Sequence, residues 1–279
     1  MAEGTLYIGN RRYSSWSMRG WLAVRLAGLD VEEVVIPFTR PGPTTAIRAV
    51  SPTGLVPCLA HRGALVWESL AICEYCAEQA PALWPADPLA RAQARSVSAE
   101  MHAGFAALRE AMWMNLGADF AGRGRTPGAL ADIARIEALW ADARARFGGP
   151  FLFGAAFTAA DAMFAPVVAR FLTWRPELSA DGLAYCAAVR AHPLVAAWYD
   201  AAAREPRSWL LPGYEAASGE AVAGQPRRTH PGAMPPSEPP SKSEPPPPPP
   251  PMPKEVGGPS GPEPTRYGDW ERKGRCIDF

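Results

Sequence analysis

Two short runs in the first quarter of the chain place polar side chains where a strand gives way to a helix. They are Tyr13-Ser14-Ser15-Trp16-Ser17-Met18-Arg19 and Glu68-Ser69-Leu70-Ala71-Ile72. A helix start offers unpaired N–H groups and a partial positive charge, so it welcomes a carboxylate. Glu68 beside it can answer an ammonium group. The plainer reading leaves Glu68 exposed, with Ser14 and Ser69 serving only as helix caps. Cys73 and Cys76 form a C-x-x-C, but they fall in a helical pattern over residues 69–79 whose apolar positions are Leu70, Ile72, Cys73 and Cys76. They read as core thiols. Cys58, Cys186 and Cys276 complete a set too small and irregular for a disulfide framework, which fits a reducing compartment. His61, His102, His192 and His230 lack metal-ligand spacing, so no metal is expected. No phosphate loop and no Ser-His-Asp order is visible. Thr158 with Asp161 three residues later reads as an acidic variant of the capping box, a structural feature. Arg109, Met112, Trp113 and Leu116 have helical spacing and either pack in the core or border an apolar pocket.

The elements that must position these residues alternate at first. Residues 5–9 read as a strand, 14–27 as a helix with Met18, Trp21, Leu22 and Leu26 on one face, and 31–37 as a second strand. A short helical turn near 46–50, strands at 56–60 and 64–67 around Arg62-Gly63, and the helix 69–79 complete an order β-α-β-α-β-β-α. Residues 1–80 therefore form a small α/β unit. Three prolines in 81–88 mark a connection, and beyond it helices are expected at 89–116, 127–147, 158–172, 183–191 and 193–204. Residues 89–212 form an all-α domain.

From Ala216 onward the apolar periodicity stops, and this stretch holds 17 of the chain's 32 prolines. It cannot bury enough apolar surface to offset chain entropy, so 216–252 is expected to be a disordered Pro-rich linker. The seven prolines 245–251 favour polyproline II, a spacer of about 20 Å. Residues 253–279 return to charged and aromatic side chains. With 28 basic against 28 acidic side chains, no general grip on nucleic acid or an anionic membrane is expected. No apolar stretch approaches the roughly 18 to 20 residues of a membrane span. Leu6-Tyr7-Ile8 already reads as a strand with no leader before it, so a soluble, cytoplasmic protein is expected.

This element order, with the residues at its turns, resembles the glutathione S-transferase superfamily over about residues 4–212. The resemblance implies a thioredoxin-like N-terminal domain with a sheet and helices, followed by an all-α C-terminal domain. It implies glutathione as co-substrate, transferase activity and a homodimer. At the first strand-to-helix turn, where thiol-disulfide relatives carry C-x-x-C, the chain reads Ser14-Ser15-Trp16-Ser17, which excludes a redox dithiol there. The spacing from Ser14 to Arg19 is similar to that of the serine-type classes, so Ser14 is the expected catalytic hydroxyl, donating to the sulfur of glutathione. A free thiol titrates near pH 8.5, and each unit of lowering by a donor and a helix N-terminus is worth about 1.4 kcal/mol in favour of thiolate. The run is also similar to the Ser-rich signature of the zeta class, without its cysteine, which brings in maleylacetoacetate isomerase activity. Gly54-Leu55-Val56-Pro57 matches the place of the family's cis proline. Val56 would pair through its backbone with the cysteinyl part of glutathione, and Leu55 stands where relatives often carry a polar side chain. Glu68 and Ser69 match the acidic-Ser pair that binds the γ-glutamyl end. The implied glutathione site is Ser14, Val56, Pro57, Glu68 and Ser69.

The closing run Pro264-Thr265-Arg266-Tyr267-Gly268-Asp269-Trp270-Glu271, with Asp278-Phe279 after it, resembles the succinate dehydrogenase assembly factor 4 family over residues 253–279. That resemblance implies binding to the flavoprotein subunit of succinate dehydrogenase. Tyr267, Trp270 and Phe279 would act as anchors, and Arg266, Asp269 and Glu271 as polar contacts. Two readings follow. In one, the body is a glutathione-dependent enzyme carrying a partner-binding tail. In the other, the chain is an assembly factor whose transferase-like body is a non-catalytic scaffold.

Overall fold

The structure is a computed structural model and describes residues 2–38, 44–216, 271–272 and 275–276. Strand β1 (Gly4–Ile8) lies at the centre of the first half. Strand β2 (Val31–Val35) runs parallel to it, reached through helix α1 (Ser15–Leu26). Gly28, at φ +67°, turns the chain out of that helix. After the short helix α2 (Thr45–Arg48), strand β3 (Cys58–His61) pairs antiparallel with β1, and β4 (Ala64–Trp67) pairs antiparallel with β3. Arg62 and Gly63 both take positive φ, as a tight two-residue hairpin turn requires. Helix α3 (Ser69–Gln79) follows. The sheet order is β2-β1-β3-β4, a mixed thioredoxin-like sheet. Alternation along β1 sends Leu6 and Ile8 into the core, where they meet Leu59, Met18, Leu22, Ile72, Cys73 and Cys76. The strand expected from residue 56 begins at Cys58, since Pro57 has no N–H to give the ladder.

The second half is helical. Helix α4 spans Pro88–Ala103, α5 Ala106–Ala111, α6 Pro127–Phe147, α7 Ala159–Trp174, α8 Ala180–Ala191, α9 Pro193–Ala203 and α10 Pro212–Glu215. The single helix expected over 89–116 is corrected to α4 and α5 with a break between them. Gly104 is extended, and a Cβ there would stand 2.8 Å from Glu100 O; Phe105 takes the left-handed conformation at φ +56°. Gly104 weakens the helix at this point, and a side chain of another helix supports the restart: Leu108 N–H, freed at the start of α5, donates to the Asp132 carboxylate of α6 at 2.8 Å. Helix α7 is buried along nearly its whole length and packs against α1, α4 and α8. It is the axis of the helical half, and α1 lies against both it and α3.

Residues 1–223 form one compact unit and residues 224–279 a second. In the second, the described residues are strands β5 (Glu271–Arg272) and β6 (Arg275–Cys276), paired antiparallel. The Pro-rich linker expected from 216 lies, after Ala216 itself, outside the described residues, as do Arg266, Tyr267, Asp269, Trp270 and Phe279.

Candidate active site

The turn between β1 and α1 is built by Asn10. Its carbonyl accepts the N–H groups of Tyr13 and Ser14 at 3.2 and 2.8 Å, and its side chain accepts Phe38 N–H and donates to Trp209 O. Ser14 is the N-cap of α1 and is buried. Its Oγ donates to Ser17 Oγ at 2.7 Å and accepts the Ser17 N–H at 3.4 Å. The neighbouring hydroxyls have other partners. Ser15 Oγ accepts from Arg170 Nη2 at 3.2 Å, and Ser17 Oγ accepts Gly9 N–H at 3.0 Å. Tyr13 is also engaged. Its hydroxyl donates to Glu215 and accepts Leu211 N–H, and burial with the Glu215 bond pushes it up to about 12, so it stays protonated.

The other expected residues come to the same region through α1. The Val56-Pro57 peptide is cis, and the Pro57 ring packs where a Cβ on Gly20 would otherwise stand, 2.8 Å from Pro57 Cγ. Glu68 is the residue before α3, at φ +68°, half-exposed and making no side-chain cap. Its carboxylate lies 3.7 Å from His102 Nε2, and His102 stands edge-on to Trp16, two residues beyond Ser14. Ser69 opens α3, is 1% exposed, and its Oγ has no hydrogen-bond partner among the described residues. A buried hydroxyl without a partner at a helix start is costly unless something bound there answers it. That fits the carboxylate end of a bound peptide.

Trp16 is the hub of the electrostatics. The Arg19 guanidinium lies 4.4 Å from its ring centroid and the Arg109 guanidinium 5.4 Å. Arg19 is fully buried and bridges α1 to α7 by donating to Met163 O at 2.8 Å and to Ser15 O at 3.2 Å; its Nη2 has no partner among the described residues. Burial pushes Arg19 well below the usual arginine range, and the like charges of Arg170 and Arg109 add to it. Burial also lowers His102, Glu68 opposing and Arg19 and Arg109 assisting. The site is therefore a concentration of positive charge beside the N-terminus of α1. Arg19 and Arg170 reach the first turn of α1 at Ser15, the residue after Ser14.

Arg109 joins this cluster, but the shared helical face expected for Arg109, Met112, Trp113 and Leu116 is absent because α5 ends at Ala111. Met112 is core, and Trp113 packs against Trp174 and Phe120 while donating to Tyr214 O. His102 and Arg170 were silent in the sequence: a lone histidine in an Ala-rich helix and an arginine inside the most apolar one carry no local signal. Cys73 and Cys76 are sealed in the core, and burial pushes Cys76 up to about 12 and Cys73 higher still, so neither is a thiolate at neutral pH. Among the described residues no three His, Cys, Asp or Glu side chains converge as a metal site, and no helix is long and apolar enough to cross a membrane.

Residues 13–79 match the family described as glutathione S-transferase, N-terminal domain, and residues 91–201 the family described as glutathione S-transferase, C-terminal domain. Residues 233–279 match a third family, described as a protein of unknown function (DUF1674). Within that last region 26 residues are 65% identical to a UPF0369 protein of Rickettsia felis, covering 9% of this chain and 33% of that one. Over 117 residues the chain is 37% identical to maleylacetoacetate isomerase of Pseudomonas aeruginosa, covering 40% of this chain and 54% of that one. The chain spans about half or less of the length of the curated relatives it matches. A theta class glutathione S-transferase from Xanthomonas axonopodis pv. citri, solved with glutathione bound, superposes with a TM-score of 0.54 at 29% identity, covering 74% of this chain and 99% of that one. A maleyl pyruvate isomerase, described as a bacterial zeta class glutathione S-transferase, gives 0.56 at 26% identity, covering 73% and 99%. From the thioredoxin-like sheet through the helical domain, the body of this chain belongs to the glutathione S-transferase superfamily.

Proposed function

We propose that the body is a glutathione-dependent transferase or isomerase in which Ser14 donates a hydrogen bond to the thiolate of bound glutathione. The observation that carries this reading is the position of Ser14 at the head of α1, next to Ser15, whose carbonyl and hydroxyl accept from the Arg19 and Arg170 guanidiniums. Val56 and Pro57 would align the cysteinyl backbone. The start of α3, with the unanswered Ser69 hydroxyl and the half-exposed Glu68, would take the γ-glutamyl carboxylate and ammonium. Stabilised in this way, the sulfur attacks an electrophilic carbon. With an unsaturated acid the same sulfur adds to the double bond, the resulting single bond rotates, and expulsion of the thiolate returns the isomerised acid. The Pseudomonas relative and the arginines at the first turn of α1 support isomerisation of an anionic substrate. The division into 1–80 and 89–212, homodimer formation and cytoplasmic residence belong to the same proposal.

For the tail, the proposal is that residues 253–279 bind the succinate dehydrogenase flavoprotein subunit through Arg266, Tyr267, Asp269, Trp270, Glu271 and Phe279. The supporting observation is the aromatic and charged run itself, joined to the body through the Pro-rich stretch. The alternative, an assembly factor with a non-catalytic body, makes the opposite prediction for Ser14. Ser14→Ala is expected to lower turnover at least about tenfold, equivalent to about one pKa unit, while glutathione affinity changes less. Unchanged turnover removes Ser14 from the chemistry, and no turnover in the parent chain with any unsaturated acid or electrophile favours the scaffold reading. Capture of purified flavoprotein subunit by the full chain and not by residues 1–223 is the matching expectation for the tail.

A further inference from the structure

Ser17 is 0% exposed, sits one helical turn from Ser14, and joins two polar atoms that the fold otherwise keeps apart. Its Oγ accepts the Gly9 N–H at 3.0 Å from the end of β1 and lies 2.7 Å from Ser14 Oγ. Each serine hydroxyl has one proton and two lone pairs, and an O···O separation of this length serves either hydroxyl as donor. Without a ligand, Ser14 donates its one hydrogen bond to Ser17. A thiolate lying against Ser14 needs that same proton, and Ser14 cannot donate to both.

We infer that Ser17 is a positioning residue whose hydroxyl reverses its bond to Ser14 when glutathione binds, so that a chain of donors runs from Gly9 N–H through Ser17 and Ser14 to the sulfur. No proton changes owner in this reversal; two hydroxyls rotate. Ser14 then accepts from Ser17 while donating to the sulfur, and a hydroxyl that accepts a hydrogen bond is a stronger donor. Ser17 itself is out of reach of bulk water. Ser15, although next to Ser14 in sequence, has its Oγ on Arg170 of α7, and it is Ser17 whose Oγ meets Ser14 Oγ. The inference rests on the proposed role of Ser14 and assigns a second hydroxyl to the same site.

The test is the pKa of glutathione's thiol when bound, read from the ultraviolet absorbance of the thiolate across pH, together with the pH profile of kcat/KM. The charged and titratable groups near this turn are Arg11, Arg12 and Tyr13 just before α1, Arg19 on α1, Glu68 and Cys73 at α3, His102 on α4, Arg109 on α5, Arg170 on α7, Glu205 after α9 and Glu215 on α10; all are unchanged in the variants compared. Ser17→Ala is expected to raise the bound thiol's pKa, reducing the thiolate fraction about three- to tenfold below that pKa, with rates converging on the parent's at alkaline pH. A merely structural serine would lower the melting temperature and leave that pKa in place. In a Ser14→Ala background, Ser17→Ala should add no further shift. Equal pKa values for parent and Ser17→Ala overturn the inference, as does an equal shift in both backgrounds. Should Ser17→Ala fail to fold, Ser17→Cys keeps the shape with a weaker donor and is expected to shift the pKa the same way; no shift overturns the inference. If Ser14→Ala itself leaves the thiol's pKa unchanged, the role of Ser14 fails. If Ser14→Ala raises it and neither Ser17 variant does, only the relay fails.

Discussion

Three hydroxyls within four residues meet three different neighbours, and this separates them chemically. Ser15 is held by Arg170, Ser17 is sealed between Gly9 and Ser14, and Ser14 stands at the helix cap. Asp161 shows the opposite case, a titratable group whose work is structural. Its carboxylate accepts from Leu152 N, Thr158 N, Thr158 Oγ1 and Tyr185 OH at 2.8 to 3.1 Å. Burial pushes its pKa up and these four bonds oppose the rise. Asp161→Ala leaves four donors in the core without an acceptor, so the unfolding free energy is expected to fall by about 3 kcal/mol or more. Urea denaturation measures it, and a loss under about 1 kcal/mol would show that the donors find other partners.

Helix α1 is the element on which the site depends. It carries Ser14 at its head, lies against α3 on one side and α7 on another, and supports Pro57 at Gly20. In an isolated helix Gly20→Ala would gain about 1 kcal/mol of propensity. Here the new methyl lands 2.8 and 3.0 Å from two ring atoms of Pro57, and a proline ring is too stiff to bend away. The loop carrying Val56 must shift instead. We expect KM for glutathione to rise about three- to tenfold, with little loss of melting temperature because propensity and strain offset each other. An unchanged KM would mean that Val56 does not contact the ligand. The break between α4 and α5 is a second matter of elements, since it places Arg109 over Trp16.

Across the whole body, residues 209–215 close the structure over the first turn. Trp209 O accepts from Asn10, Tyr214 O accepts from Trp113 and Asn115, and Glu215 pairs with Arg12 at 2.8 Å. Three groups in this body make its stability depend on acid: His102, His192 and Glu215. His102 and His192 both have pKa values below the ordinary 6.5, held there chiefly by burial. The unfolded chain therefore binds protons at these sites first, so the stability they contribute is present above about pH 6.5 and is lost as pH falls. Glu215 acts in the same direction at lower pH: burial raises it, but its bonds to Arg12 and Tyr13 outweigh that and hold it below 4.5. Melting temperature is expected to decline from about pH 7 to about pH 5 and to fall further below it. Replacing both histidines with asparagine should flatten the first part of that decline; an unaltered slope would place its origin elsewhere.

The amino-acid sequence by itself determined the order β-α-β-α-β-β-α, the helical second half, the turn at Arg62-Gly63 and the two polar helix starts. These are local properties: alternation, 3.6-residue periodicity, and residues suited to tight turns and caps. It also separated a compact body from a Pro-rich remainder by composition alone. What only the tertiary structure decided is which charged groups meet. Arg19, His102, Arg109 and Arg170 come from four helices and converge on Trp16 and Ser15, with α1 and α4 both packed on α7 and α5 held by α6. The break at Gly104 and Phe105 has the same origin, since the freed Leu108 N–H is answered by Asp132 from α6, a residue outside that stretch of sequence. Local propensity fixes the elements, but the charge gathered at Trp16 and Ser15 comes from distant residues, and no window of sequence contains it.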